Sequence, residues 1–142
     1  MATTKFGYSG KTLAAKLGII GGTRVAAIAA PANYRDLLGE ALDDALITSL
    51  PRPPARPKTF DLVHLFADRT ATLAKHLPGA ILIVADSGSL WISWPKKSSS
   101  LFIDLTENGI RDLVLPTGFV DVKVAAVDEN WSGLKFLRRR RK

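Results

Sequence analysis

Two apolar runs, FDLVHLF at 60–66 and LWISW at 90–94, flank a stretch of good helix formers, DRTATLAKHL at 68–77. The runs are short, β-branched and aromatic, and therefore read as buried strands. Two strands of one sheet joined through a helix lie parallel, with a right-handed crossover. That unit commits the chain to an α/β sheet, and the flanking sequence extends it in both directions. Upstream, RVAAIAA at 24–30 is a strand ended by Pro31, NYRDLLGE at 33–40 is a short helix capped by Asn33, and ALITSL at 45–50 is a further strand. Downstream, DLTENGIRDLVLP at 104–116 is a helix opened by Asp104, with Glu107 in capping-box register. FVDVKVAAV at 119–127 and WSGLKFLRR at 131–139 are joined only by DEN, which makes them an antiparallel hairpin.

The segments in between are shaped by punctuating residues. KTLAAKL at 11–17 is a helix stopped by Gly18, and GGT at 21–23 is a turn. PRPPARPK at 51–58 has four prolines and is expected to be an exposed, stiff connector. Residues 79–88, GAILIVADSG, carry strand-forming side chains directly after a helix; they are assigned to the end of that helix and a Ser-Gly turn. The expected fold is α/β, a three-layer sandwich with a mostly parallel sheet and an antiparallel terminal hairpin. One domain covers 1–137, followed by a basic tail at 138–142.

Most of the net charge of +7 comes from that tail. RRRRK supplies five of 20 cationic side chains, leaving 15 against 13 acidic ones in residues 1–137. A nearly neutral body is not the footprint of a sequence-reading nucleic-acid domain. Arg138, Arg139, Arg140, Arg141 and Lys142 are expected to attract polyanions weakly and without specificity. The absence of cysteine excludes disulfides, thiolate catalysis and cysteine metal sites, and fits a cytoplasmic location. The longest apolar run, GAILIVA at 79–85, is far short of a membrane span, and no partner membrane is expected.

The strand layout is similar to a reduced S-adenosylmethionine-dependent methyltransferase fold, which ends in the same hairpin. That resemblance implies a Rossmann-like sheet ordered 45–50, 24–29, 60–66, 90–94, 131–139 and 119–127. A second resemblance is carried by GYSGKTLAAKLGI at 7–19, YRDLLG at 34–39, DLVHLF at 61–66, LWISWPKK at 90–97, DLTENGIRDL at 104–113 and VDVKVAAVDENWSGLKF at 120–136. These blocks resemble a family of small bacterial proteins known as a domain of unknown function. The proline-rich connector and the arginine tail depart from that pattern. The family implies a fold and no activity.

Familiar catalytic patterns do not survive inspection. SGKT at 9–12 lacks the glycine and the upstream strand of a phosphate loop, with Lys5 where the glycine belongs. A dinucleotide or S-adenosylmethionine site needs a glycine turn after the first strand, and APANY at 30–34 has a proline there instead. No cofactor is expected. His64 and His76 are the only histidines, without metal-ligand spacing, so no metal is expected either. No serine stands in a nucleophile elbow.

The stretch after LWISW remains. Ligands of open parallel sheets bind beyond the carboxyl ends of the strands. There Pro95 ends pairing, Lys96 and Lys97 bring positive charge, Ser98 brings a hydroxyl, and Trp94 forms an aromatic wall. Trp91 points to the opposite face and packs under a helix. Asn33, Tyr34 and His64, from neighbouring strand ends, are expected to face the same cleft. These residues suit an anionic small molecule or a protein partner, held by a non-catalytic module. Two alternatives stand beside it: a small-molecule enzyme with His64 as acid/base, and a nucleic-acid-associated protein acting through its tail.

Overall fold

The computed structural model describes residues 12–39, 46–55, 57 and 59–139. Six strands form one sheet: β1 Arg24–Ile28, β2 Leu46–Leu50, β3 Phe60–Phe66, β4 Val84–Pro95, β5 Phe119–Ala126 and β6 Trp131–Arg138. Their order is β2-β1-β3-β4-β6-β5. The pairs among β1 to β4 are parallel, whereas β6 runs antiparallel to both β4 and β5. The order is the one the methyltransferase resemblance implies, and the closing hairpin is the one expected from the sequence.

Alternation along the strands sends successive side chains to opposite faces. On one face Val25, Ala27, Leu62, Phe66 and Trp91 pack under helices α1 (Leu13–Leu17) and α2 (Tyr34–Leu38). On the other, Ala26, Ile28, Val63, Leu65 and Ile92 pack under α3 (Thr70–Ile83) and α4 (Glu107–Val114). The result is the three-layer sandwich. Trp91 goes under α1 as expected, and its indole N–H donates to the Leu17 carbonyl at 3.1 Å. Among the described residues, no helix is long and apolar enough to cross a membrane.

Four local assignments are corrected. The helix at 79–83 is as expected, but the Ser-Gly turn is not: β4 begins at Val84 and continues through Asp86 and Ser87. The register between β3 and β4 shifts there, and a Cβ on Gly88 would lie 2.7 Å from the Asp61 carbonyl oxygen. A glycine thus lets an irregular strand follow a helix without a loop. Asp104 does not open α4; Thr106 is its cap, accepting from the Gly109 N–H at 3.1 Å. Asp104 serves α3 instead, accepting from the Thr70 N–H at 2.8 Å. The connector is not free in solvent throughout, because Pro53 is half-buried against Gly79 of α3.

The fourth correction concerns Arg138, which belongs to β6 and not to a tail. Its guanidinium donates to the carbonyls of Ile81 and Val84 and lies 4.8 Å above the Phe119 ring. Arg139 continues the contact through a backbone bond to Gly118. Arg140, Arg141 and Lys142 lie outside the described residues, as do Ser9, Gly10 and Lys11 of SGKT. Thr12 of that motif is the N-cap of α1.

Candidate functional site

The carboxyl ends of the parallel strands carry two separate cavities. Beyond β4, Pro95 releases the chain into a loop that is tied back to the hairpin turn. The Lys96 N–H donates to the Asn130 carbonyl at 2.8 Å, and the Ser99 hydroxyl donates to Asn130 Oδ1 at 2.9 Å. The turn is itself fixed by Asp128, whose carboxylate accepts from the N–H groups of Asn130 and Trp131. These bonds hold Lys96 and Lys97 against the start of α4. Between them lies a groove of about 500 Å³, with Trp94 and Leu105 behind it and Asn108, Arg111 and Ser132 around it.

Arg111 organises the α4 side. Its Nη2 donates to the Glu107 carboxylate one turn earlier, its Nε to Asp121 at 3.0 Å and its Nη1 to Asn108 Oδ1 at 3.2 Å. The two carboxylates, Asp121 first, raise the guanidinium above its ordinary value. The ammonium groups of Lys96 and Lys97 meet no partner among the described residues. The groove therefore holds two uncommitted cations and one committed one.

The second cavity, about 310 Å³, lies between the ends of β1 and β3. The chain moves outward from β1 to β2 and then returns to β3 on the other side, so this is where the strand order reverses. Ala29, Phe66, Asp68, Thr72 and Trp131 line it. Ala29 is the only non-glycine residue with positive φ among those described, at 57°. The left-handed region is uncommon for alanine, and it lets the chain turn sharply out of β1.

The seven residues singled out in the sequence do not share a cleft. Trp94, Lys96 and Lys97 line the groove. His64 and Tyr34 are buried on the opposite face of the sheet, under α1 and α2. Asn33 and Ser98 are exposed and line neither cavity. Asn33 occupies the cap position of α2 without a side-chain capping bond. The physical reason is alternation. His64 pairs with Trp91 in the register and so shares its face, while Trp94 is one step out of phase.

His64 is satisfied at both ring nitrogens. Tyr34 Oη lies 2.8 Å from Nδ1 and Ser93 Oγ 2.6 Å from Nε2. A neutral ring donates from one nitrogen and accepts at the other, and two hydroxyls accommodate either tautomer. Phe66 stacks on the ring at 4.3 Å between centroids. Burial pushes His64 down to about 3 and lifts Tyr34 above its ordinary value. Fully buried, with both ring nitrogens engaged, His64 lines neither cavity, so the structure gives no support to the acid/base role considered for it. Ser93, Glu107, Asn108 and Arg111 are not among the residues the sequence offers for a site. The i, i+4 spacing of Glu107 and Arg111 was a readable signal for one pair, but their approach to Lys96 is a tertiary event.

A six-stranded sheet of this order, with helices on both faces and one antiparallel strand inserted, is a Rossmann-like fold of the methyltransferase kind. Solved structures with this architecture include an S-adenosylmethionine-dependent methyltransferase from Aquifex aeolicus: 13% identity, 86% of this chain and 85% of that one covered, TM-score 0.60. The 1,6-didemethyltoxoflavin-N1-methyltransferase of Burkholderia thailandensis, solved with S-adenosylhomocysteine, is similar at 13% identity, over 90% of this chain and 75% of that one, with TM-score 0.61. The magnesium protoporphyrin IX methyltransferase of Synechocystis, solved with S-adenosylmethionine, is similar at 15% identity, over 89% and 74%, with TM-score 0.59. At such identities the likeness is one of fold. No family model and no curated protein matches the chain.

Proposed function

We propose that this protein is a non-catalytic binding module that holds an anionic ligand in the groove beyond Trp94. The observation that carries the reading is the pair of uncommitted ammonium groups, Lys96 and Lys97, held over a cavity by a loop tied to the hairpin turn through the Lys96 N–H and the Ser99 hydroxyl. A cation kept beside a low-dielectric wall attracts an anion more strongly than one in open solvent. Thr106, Asn108 and Ser132 add hydroxyl and amide donors around the same space.

S-adenosylmethionine, bound in one structural neighbour, with S-adenosylhomocysteine bound in another, is a poor fit to the corresponding edge of this sheet. The turn leaving β1 contains no glycine. Pro31 has no N–H, and its carbonyl is taken by the Tyr34 N–H at 3.0 Å. The Ala29 N–H is spent on the Leu50 carbonyl at 2.7 Å. The end of β2 passes into Pro51 and Arg52, where a carboxylate would be needed for a ribose hydroxyl. No methyl-transfer step is therefore assigned to the chain.

Thermal unfolding against inorganic phosphate, sulfate and citrate tests the reading. A ligand at about 100 times its Kd adds roughly 2.7 kcal/mol of stability. For a domain of this size that raises the midpoint by several degrees. The expected result is a rise with at least one anion, lost in the Lys96→Ala/Lys97→Ala double variant. A midpoint indifferent to all three, or a rise that survives the double substitution, overturns the reading.

A further inference from the structure

Positive charge alone does not explain the lining of the groove. Opposite the lysines stand a carboxylate and a carboxamide, Glu107 and Asn108, both at the first turn of α4. Arg111 bonds to each of them, so the two planar groups are held side by side on a rigid element. A simple anion gains nothing from a carboxylate in its site and is repelled by it. A ligand with hydroxyl groups gains from both: one Glu107 oxygen remains to accept from a hydroxyl, and the Asn108 amide N–H groups remain to donate to one. Fixed acceptor and donor pairs of this kind match neighbouring hydroxyls, and the Ser132 hydroxyl extends the set.

The charge balance sets a further limit. Two free lysines suit one phosphate. A second phosphate, at the far end of the same ligand, would meet Glu107 and find Arg111 already engaged by Glu107 and Asp121. The cavity of about 500 Å³ is of a size to hold a small organic molecule, and Trp94 and Leu105 give it an apolar back wall for C–H groups.

Building on the proposed anion site, we infer that the ligand is a sugar or polyol monophosphate, with its phosphate on Lys96 and Lys97 and its hydroxyls on Glu107 and Asn108. Calorimetric titration of the full chain at fixed ionic strength tests this, with inorganic phosphate, ribose 5-phosphate, glucose 6-phosphate, glycerol 3-phosphate and fructose 1,6-bisphosphate as probes. At least one monophosphate ester is expected to bind roughly tenfold or more tightly than inorganic phosphate, the worth of one or two charge-assisted hydrogen bonds. Asn108→Ala lowers that ratio. Glu107→Ala abolishes it and tightens inorganic phosphate, because the opposing carboxylate is gone and Arg111 Nη2 loses its partner while Asp121 and Asn108 still hold the guanidinium in place; damage to the fold would not raise an affinity.

If inorganic phosphate binds and no ester binds better, the ligand class is wrong and the anion site stands. Tighter binding of the bisphosphate than of every monophosphate also overturns the class. If none of the five probes binds, the anion site itself is refuted.

Discussion

His64 on β3 and Ser93 on β4 share a 2.6 Å hydrogen bond across the centre of the sheet, and both are fully buried. Tyr34, from α2, closes the other side of the imidazole. The trio pins a helix to two adjacent strands through groups that must all be paired to be tolerated in the core. Replacing His64 with leucine strands two hydroxyls at once. A loss of about 2–4 kcal/mol is expected by urea unfolding, with Ser93→Ala costing less because it strands only one ring nitrogen.

The same histidine makes stability depend on pH. Its folded value, about 3, lies below its ordinary 6.5, so the unfolded chain binds the extra proton first. Stability is fully present above 6.5 and is lost as pH falls toward 3. Between pH 7 and pH 5 the loss is about 2 kcal/mol. His76 is also lowered, by partial burial and then by Lys75 and Arg52, and adds a slope of the same sign. In His64→Gln the unfolding free energy should therefore flatten over this range without becoming level; a slope unchanged from the parent protein would show that His64 titrates normally.

Ala29 is exposed and left-handed at the end of β1, so substitutions there report backbone strain with little contribution from packing. Glycine removes the Cβ conflict, whereas a β-branched side chain aggravates it. Ala29→Gly should be at least as stable as the parent, and Ala29→Val less stable by about 1–2 kcal/mol. Equal midpoints for the two variants would mean that the turn is not held in this conformation.

Gly88 sits where β3 and β4 shift register, with the Asp61 carbonyl in the space a Cβ would need. The obstructing atom is backbone and cannot step aside like a side-chain end. Gly88→Ala should cost about 3 kcal/mol, at the upper end for overpacking. Circular dichroism during denaturation reads it directly.

Arg138 separates folding from charge at the C-terminus. Removing its guanidinium takes a donor from the Val84 carbonyl, leaves the Ile81 carbonyl with the Val84 N–H alone, and uncovers Phe119. Arg138→Ala should lower stability by about 1–3 kcal/mol, whereas deletion of 140–142 should leave the midpoint unchanged and weaken retention on a polyanion column.

Much of this architecture was legible because its signals are local and periodic. The strand runs at 60–66 and 90–94 and the DEN turn each announce themselves, and the phase of LWISW places Trp91 and Trp94 on opposite faces. What escaped depends on partners far apart in sequence. Residues 84–88 form a strand because Gly88 tolerates the approach of Asp61. Asp104 looks like the start of its own helix and caps another. His64 looks like an edge residue of a cleft until Ser93 and Tyr34 close around it. The groove at Lys96 was half visible: the lysines stand out in the sequence, but Glu107, Asn108 and Arg111 reach them only once α4 has packed on the sheet.

The most direct measurement is an amide chemical-shift titration of the isotope-labelled protein with inorganic phosphate. The account predicts saturable shifts at Lys96, Lys97, Thr106, Asn108 and Ser132, with little change around Ala29 and Asp68. Shifts confined to the cavity between β1 and β3, or to the arginines at the C-terminus, would contradict it.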